Sequence, residues 1–371
     1  MRPTVAVVGG GYAGTLVAKQ LDAEARVVLV DPRDAFVNVA GSLRALTRPD
    51  WARNVFFPYR ELLAHGRIVR DRASSVDPAG VTLAGGGRID ADYLVLATGS
   101  SYPYPARPRH ADTSARQALR ELRATHDHLA RAERVLILGA GPVGLELAGE
   151  IREVWPRKRI VIVDAADELL PGFLPEVRRD LRRQLHELGI DLRTGTRLTD
   201  LPATPDGTAG TVTVSTGDGD RITADIWFRC FGVRRNTGYL ADGMLVARTD
   251  RGAVPVGDRL NVVGHDRVYA LGDIADLPDA AMATHAQTQA LVVVENIRAQ
   301  LAGEPPDAVY RPASTPRILL PLGTRGGVGQ LPTPDGRAAP AALDTVIGRK
   351  GADLFTSRFA QRFDQRRRGS G

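Results

Sequence analysis

Two sets of three glycines carry the most specific chemistry in this sequence. Gly9, Gly11 and Gly14, with Gly10 between them, sit in "VAVVGGGYAG", and Gly139, Gly141 and Gly144 sit in "VLILGAGPVG". Both fit G-x-G-x-x-G between an apolar run and a helix-forming one. The first glycine permits a tight turn, the second lets backbone approach a pyrophosphate, and the third lets helix and strand pack closely. N–H groups at the start of the following helix then favour phosphate oxygens. A carboxylate ends the next apolar run in each case: Asp31 after "RVVLV" and Asp164 after "RIVIV". Each lies roughly 20 residues beyond its first glycine, where an acid can accept hydrogen bonds from an adenosine ribose.

Two different dinucleotides on one chain can pass a hydride between them. Asp164 is followed by Ala165 and Ala166, with no Arg or Lys to receive a 2′-phosphate. The second turn therefore predicts NADH in preference to NADPH, and the first would hold FAD. "YLVLATGSSY" at 93–102 predicts a buried strand that breaks at Ala97, Thr98 and Gly99, small residues that allow another close backbone approach. "VYALGDIAD" at 268–276 predicts a strand ending at Gly272, with Asp273 placed to hold the ribityl hydroxyls of FAD. The helix expected over 281–297 would aim its positive end at the flavin N1 and C2=O edge.

The order of these marks is glycine turn, Ala-Thr-Gly, second glycine turn, a Cys230-Phe231-Gly232 return strand, then Gly-Asp. It resembles the two-dinucleotide-binding-domain flavoproteins from residue 4 to about 332. Within that group the chain resembles the apoptosis-inducing-factor-like ferroptosis suppressor proteins. The stretches that carry this are "VNVAGSLRAL" (37–46), "GAGPVGLELAGEI", "ELLPGFLPEVRRDLRRQLHELGIDL" (168–192), "YALGDIAD" and "LLPLGTRGGVGQLP" (319–332). The resemblance implies electron transfer from NAD(P)H through FAD to a quinone. By matching position it implies an FAD-phosphate contact for Arg44, a backbone contact to adenine for Ala73, and a cofactor contact at Gly232. It also places Glu146 near the nicotinamide. There are departures. The type II quinone motif A-Q-x-A-x-Q is half echoed at Ala283-Thr284-His285-Ala286-Gln287-Thr288-Gln289, and Phe231 stands where a threonine is usual. Arg2 follows Met1, so the family's myristoylated start is not carried over.

Two side chains are candidates for catalysis. Glu146 would fix the nicotinamide carboxamide, or be a surface helix glutamate. His285, in the first turn of the flavin-facing helix, would relay a proton, or be a packed histidine. Cys230 is the only cysteine, so no C-x-x-C pair or intrachain disulfide exists, and it reads as a small buried hydrophobe. The seven histidines show no metal-ligand spacing, and no metal is expected.

The elements that must position these groups follow. The 371 residues suit two domains plus extras. The expected fold is α/β: two Rossmann-like dinucleotide-binding domains, for FAD and NAD(P)H, the second inserted in the first, plus a C-terminal α+β segment. The expected boundaries are 1–105 with 238–312 for FAD, 106–237 for NADH, and 313–371 for the C-terminal segment. "TPDGTAG" (204–210) and "TGDG" (216–219) read as hairpin turns.

The net charge is +6, partly from "RRR" at 366–368. With no helix-turn-helix or zinc pattern and 5% aromatic residues, nucleic acid is not an expected partner. No apolar run reaches 18 residues and no signal peptide opens the chain, so the expected location is cytoplasmic. The tail "RKGADLFTSRFAQRFDQRRR" spaces Phe355, Phe359 and Phe363 by four beside Arg358, Arg362 and Arg366. This amphipathic basic pattern allows peripheral contact with the inner face of the membrane, or packing of the aromatic stripe on protein. The oligomeric state is not set by the sequence. Quinone is the expected acceptor. The rivals are an iron protein such as rubredoxin or ferredoxin, oxygen or a pathway metabolite as acceptor, and a redox-sensing interaction protein with little turnover.

Overall fold

Strands covered on both faces need apolar side chains on both, and the runs that lead into the glycine turns have them. The computed structural model describes residues 2–363. Its first sheet holds β1 (Thr4–Val8), β2 (Arg26–Val30), β5 (Arg67–Val69), β9 (Tyr93–Leu96) and β18 (Val268–Ala270). All are parallel, in the order β18-β9-β1-β2-β5. The second sheet holds β11 (Arg134–Leu138), β12 (Arg159–Val163), β13 (Ile190–Arg193) and β16 (Ile226–Arg229), also parallel, in the order β13-β12-β11-β16. In both sheets the strand before the glycine turn is central, and the chain winds to opposite sides of it. That is a topological switch point, where α/β proteins bind ligands beyond the carboxyl ends of the strands.

Helices α1 (Tyr12–Leu21) and α4 (Pro142–Val154) leave the two turns, and α6 (Ala283–Leu301) packs on α1. Three smaller sheets surround them. β6 (Ala73–Asp77), β7 (Gly80–Leu83) and β8 (Arg88–Asp90) form an antiparallel meander. β14 (Val212–Ser215) and β15 (Arg221–Ala224) form a hairpin. β19 (Ile318–Leu322), β20 (Gly326–Pro332) and β21 (Ala338–Pro340) form the C-terminal sheet, against which α4 and α5 (Pro175–Glu187) pack. Two short antiparallel pairs complete the strands: β3 (Ala35–Val37) with β4 (Phe56–Pro58), and β10 (Ser100–Ser101) with β17 (Arg234–Arg235). The remaining helices are α2 (Ser42–Thr47), α3 (Ala115–Arg131), α7 (Leu343–Val346) and α8 (Thr356–Arg362).

Two local expectations need correction. "TGDG" turns the β14–β15 hairpin, but "TPDGTAG" does not close one. Gly207 donates its N–H to Trp227 O at 2.8 Å, which pins the loop to the edge of the second sheet before the hairpin begins. The tail is not one amphipathic helix either. After α7 the chain makes a widened turn over Ile347–Gly351, and Leu354 and Phe355 take φ of 52° and 66°. Asp353 stabilises the break by accepting from Phe355 N at 2.9 Å and Ser357 N at 3.1 Å, and α8 starts afresh. Phe359 and Phe363 are buried against Phe36 and Phe57. Burial of each ring stabilises the fold by about 1.5–3 kcal/mol. A lipid surface therefore cannot use those two rings. Arg366 and the "RRR" run lie outside the described residues. Among the described residues no helix is long and apolar enough to cross a membrane.

Candidate functional site

The two turns repeat one another bond by bond. In the first, Gly9 donates to Val30 O at 2.8 Å, Gly10 donates to Asp31 Oδ2 at 2.7 Å, and Ala97 donates to Val8 O at 2.8 Å. In the second, Gly139 donates to Val163 O at 2.8 Å, Ala140 to Asp164 Oδ2 at 2.6 Å, and Cys230 to Leu138 O at 2.7 Å. Gly9 and Gly139 have φ of 104° and 109°, a region that side chains avoid. A Cβ on Gly14 would overlap Gly9 O, and one on Gly144 would overlap Gly139 O. Beside Gly11 and Gly141 there is open space instead. These two residues cap α1 and α4, and neither helix has a side-chain cap or an acid in its first turn. N–H donors left unspent beside open space suit a diphosphate.

The first turn opens on a cleft of about 1130 Å³, larger than the roughly 300–1,000 Å³ typical of a single small-ligand pocket. Gly9, Asp31, Ala73, Thr98 and Gly232 all line it, so five separated stretches of sequence converge there. Gly99, at φ 63°, faces open space, and Thr98 donates Oγ1–H to Asn236 O at 2.7 Å. The cleft also holds arginines that the sequence reading did not single out. Arg33 pairs with Asp31 at 3.1 Å. Arg107, from the loop after β10, stacks near Tyr102 and has its Nε hidden from solvent, with no partner among the described residues. Burial and the Arg33 charge both lower its pKa. A wall with a surplus of cationic nitrogen fits an extended dinucleotide with two phosphates.

The two ribose-site acids live in different surroundings. Asp31 is buried, which opposes its ionisation, but Arg33 and the N–H groups of Arg33 and Gly10 hold its carboxyl below the usual range. Asp164 is half-buried, accepts from Ala140 N and Ala166 N, and has exposed Ala165, Ala166 and Asp167 beside it. Gly139, Gly141, Gly144 and Asp164 do not line the first cleft.

Asp273 lies in the short turn Gly272–Ile274, just before α6. Its carboxylate accepts from Ser100 Oγ, and its backbone O accepts from Arg235 Nε at 2.8 Å. Helix α6 begins at Ala283 without a side-chain cap, and Thr284 Oγ1 in its first turn is buried with no partner among the described residues. His285 is buried, with Nδ1 3.0 Å from Ala280 O.

Glu146 is no surface glutamate. It is 8% exposed and meets Lys350 Nζ at 2.6 Å, while Lys350 also donates to Leu319 O at 3.1 Å. Burial raises the Glu146 pKa, and the Lys350 ammonium pulls against that. Arg44, to which the resemblance gives an FAD phosphate, is buried among other partners. Its guanidinium donates to Glu150 Oε1 at 2.9 Å and to Ala352 O at 3.1 Å, so it ties α2 to α4. Arg48 joins the same cluster, bonding Glu150 and, at 2.9 Å, Glu153. Glu153 in turn accepts from Thr324 Oγ1 at 2.7 Å. Cys230 follows β16, and burial pushes its thiol up to about 12. It is not poised as a thiolate.

Sequence reasoning missed Lys350, Arg33 and Arg107. The first sits 204 positions from Glu146, and no local pattern announces such a pair. Arg33 carried a signal, since it stands two residues after the acid of the turn.

Comparison with known proteins agrees with this geometry. The chain is 31% identical over 363 residues to ferroptosis suppressor protein 1 of Taeniopygia guttata, covering 95% of this chain and 94% of the relative. It is 26% identical to apoptosis-inducing factor homolog B of Dictyostelium discoideum, covering 88% and 89%. The sulfide:quinone oxidoreductase of Aquifex aeolicus shares the fold with a TM-score of 0.77 at 18% identity, over 97% of this chain and 91% of that one. Residues 3–290 match the pyridine nucleotide-disulphide oxidoreductase family. Paired dinucleotide turns on a shared fold are what that family is built from, and this chain belongs to it as an FAD-dependent NAD(P)H oxidoreductase.

Proposed function

We propose that the chain oxidises NADH through FAD and passes two electrons to a quinone-like acceptor, with FAD on the first turn and NADH on the second. Residues 1–105 and 238–312 then hold FAD, 106–237 hold NADH, and 313–371 complete the site. FAD, when bound, supplies the chemistry of accepting a hydride at N5. The protein supplies alignment and electrostatics. Gly11 and the uncapped start of α1 hold the FAD diphosphate, on a turn that Gly9 and Gly10 shape. Gly14 keeps α1 against β1, and Asp31 and Asp273 take hydroxyls. Ala97, Thr98, Gly99, Ala73 and Gly232 bring backbone close to the ligand. Gly139, Gly141, Gly144 and Asp164 repeat the scheme for NADH. Lys350 occupies one oxygen of Glu146 and leaves the other for the nicotinamide carboxamide. Exposed Ala165 and Ala166, with Asp167 beyond, favour a free 2′-hydroxyl over a 2′-phosphate, which supports NADH over NADPH.

The lone cysteine is the observation that carries the acceptor reading. With one thiol, pushed up to about 12 by burial, no dithiol can take electrons from the flavin. They leave the flavin directly for an external acceptor. Similarity to ferroptosis suppressor protein 1 over most of the chain, and a fold shared with a sulfide:quinone oxidoreductase, support a quinone.

Anaerobic NADH is expected to bleach the yellow protein, and a short-chain benzoquinone to restore its colour faster than oxygen or an iron–sulfur protein does. Quinones no faster than oxygen would exclude the quinone reading. A colourless preparation that refuses FAD would remove the whole of it. Glu146→Gln is expected to raise the KM for NADH about tenfold, the loss of one hydrogen bond to a charged group.

A further inference from the structure

Reduction of a quinone by NADH does not balance without solvent. The quinone takes two electrons and two protons. NADH, leaving as NAD+, supplies both electrons but only one of the protons, as hydride. The second must enter from water in every turnover, so the fold needs a route for it.

We propose that His285, with the small polar cavity that it lines, is the port by which this proton enters, an inference that rests on the quinone reading above. His285 is 6% exposed. Its Nδ1 lies 3.0 Å from Ala280 O. A carbonyl oxygen can only accept, so Nδ1 carries the hydrogen, and in the neutral ring Nε2 is left as an unprotonated acceptor. Nε2 is buried and has no hydrogen-bond partner among the described residues. A buried acceptor left bare destabilises the fold, so it calls for a partner.

The cavity beside it has a volume of about 40 Å³ and is lined also by Asp273, Asp279, Gln289 and Arg235. That is room for a water, which needs at least ~10–15 Å³ and two to four polar partners. In this proposal a water held there bonds Nε2, and Asp273 lines the same cavity. The charged and titratable groups around the ring are few. Asp279 Oδ1 is 3.9 Å from Nδ1, and Tyr310 donates to Asp279 Oδ2 at 2.7 Å. Asp273 and Arg235 line the same cavity, and Arg317 lies near Tyr310. Asp279, hydrogen-bonded to Tyr310 and Ala313 N, is fixed near the ring. The proton arrives at Nε2 from water and departs from the same nitrogen toward the acceptor, so Nδ1 keeps its hydrogen throughout. Electron transfer needs none of this, and His285 acts as a relay.

The test uses the flavin-loaded full chain with two acceptors: a short-chain benzoquinone, which consumes protons, and ferricyanide, which takes electrons alone. His285→Gln is expected to slow quinone reduction about 10–100-fold, the lower range of a lost general acid. Bleaching by NADH and the ferricyanide rate should stay within about twofold. In His285→Ala, added imidazole should restore quinone reduction and leave ferricyanide untouched. Equal loss with both acceptors, or loss with neither, overturns the port. Nitrogen-15 NMR of the wild-type histidines reads the ring directly and needs no variant. The Nδ1–H tautomer is expected, and an Nε2–H tautomer overturns the proposal. A wild-type protein that NADH bleaches but quinones do not reoxidise defeats the quinone reading instead, a result distinct from failure of the port.

Discussion

The first and second glycine turns share a backbone and differ in what stands beside their acids. Each spends a backbone N–H on a carboxylate, Gly10 on Asp31 and Ala140 on Asp164, at 2.7 and 2.6 Å. Two residues past the acid the resemblance ends: Arg33 pairs with Asp31, whereas Ala166 offers Asp164 only its N–H. The return loops differ too. Thr98 ties back to Asn236 O, while Phe231 at the matching place is 41% exposed under the Arg229 guanidinium. Glycines and acids thus fix a phosphate-binding shape, and the side chains around the mouth select the tenant. The buried, cation-lined mouth suits a cofactor that stays. The open one suits a substrate that must leave in every cycle.

The comparison breaks most visibly at the third glycines. Gly14→Val is expected to abolish flavin retention, because the side chain collides with Gly9 O and pushes α1 off its strand. Gly144→Val should keep the yellow colour and lose bleaching by NADH. Absorbance near 450 nm before and after anaerobic NADH reads both, and loss of flavin in both variants would mean that the two turns are not separable. A smaller effect is expected at Asp164. Asp164→Ala should lower kcat/KM for NADH about 10–100-fold and leave that for NADPH nearly unchanged, as steady-state assays with both coenzymes would show. The smallest concerns Asp31 and pH. Its folded pKa is held below the unfolded value of about 3.9, so its charge stabilises the fold above that value and stops doing so as pH falls through the folded one. The difference in Tm between wild type and Asp31→Asn should therefore be full at neutral pH and shrink below about pH 4.

What the sequence revealed and what it withheld follow from the range of the forces involved. The limits of β1, α1 and β2 around the first turn were legible because glycine sterics, apolar runs and a terminal acid act within 30 residues. So was the repeat of that plan at residue 139. The Lys350–Glu146 pair and the Arg44–Glu150 bond were not, since each joins distant segments through a charge buried only once the fold exists. "TPDGTAG" misled for a related reason. Its turn chemistry is local, but the carbonyl that Gly207 meets belongs to Trp227, in another element. In the tail, a four-residue spacing of phenylalanines was read correctly as a face, but the left-handed Leu354 and Phe355 stop the helix there.

The burial of Phe359 and Phe363 against Phe36 and Phe57 has a consequence for biosynthesis. Phe359 and Phe363 complete the core around β1 and β2, and β18 and α6 also arrive late beside β1 and α1. Contacts between residues so far apart form only after the intervening loop has closed. The ribosome therefore releases the chain through Phe363 before β1 and β2 gain their last walls, whereas residues 134–229 can zip up their own sheet while translation continues.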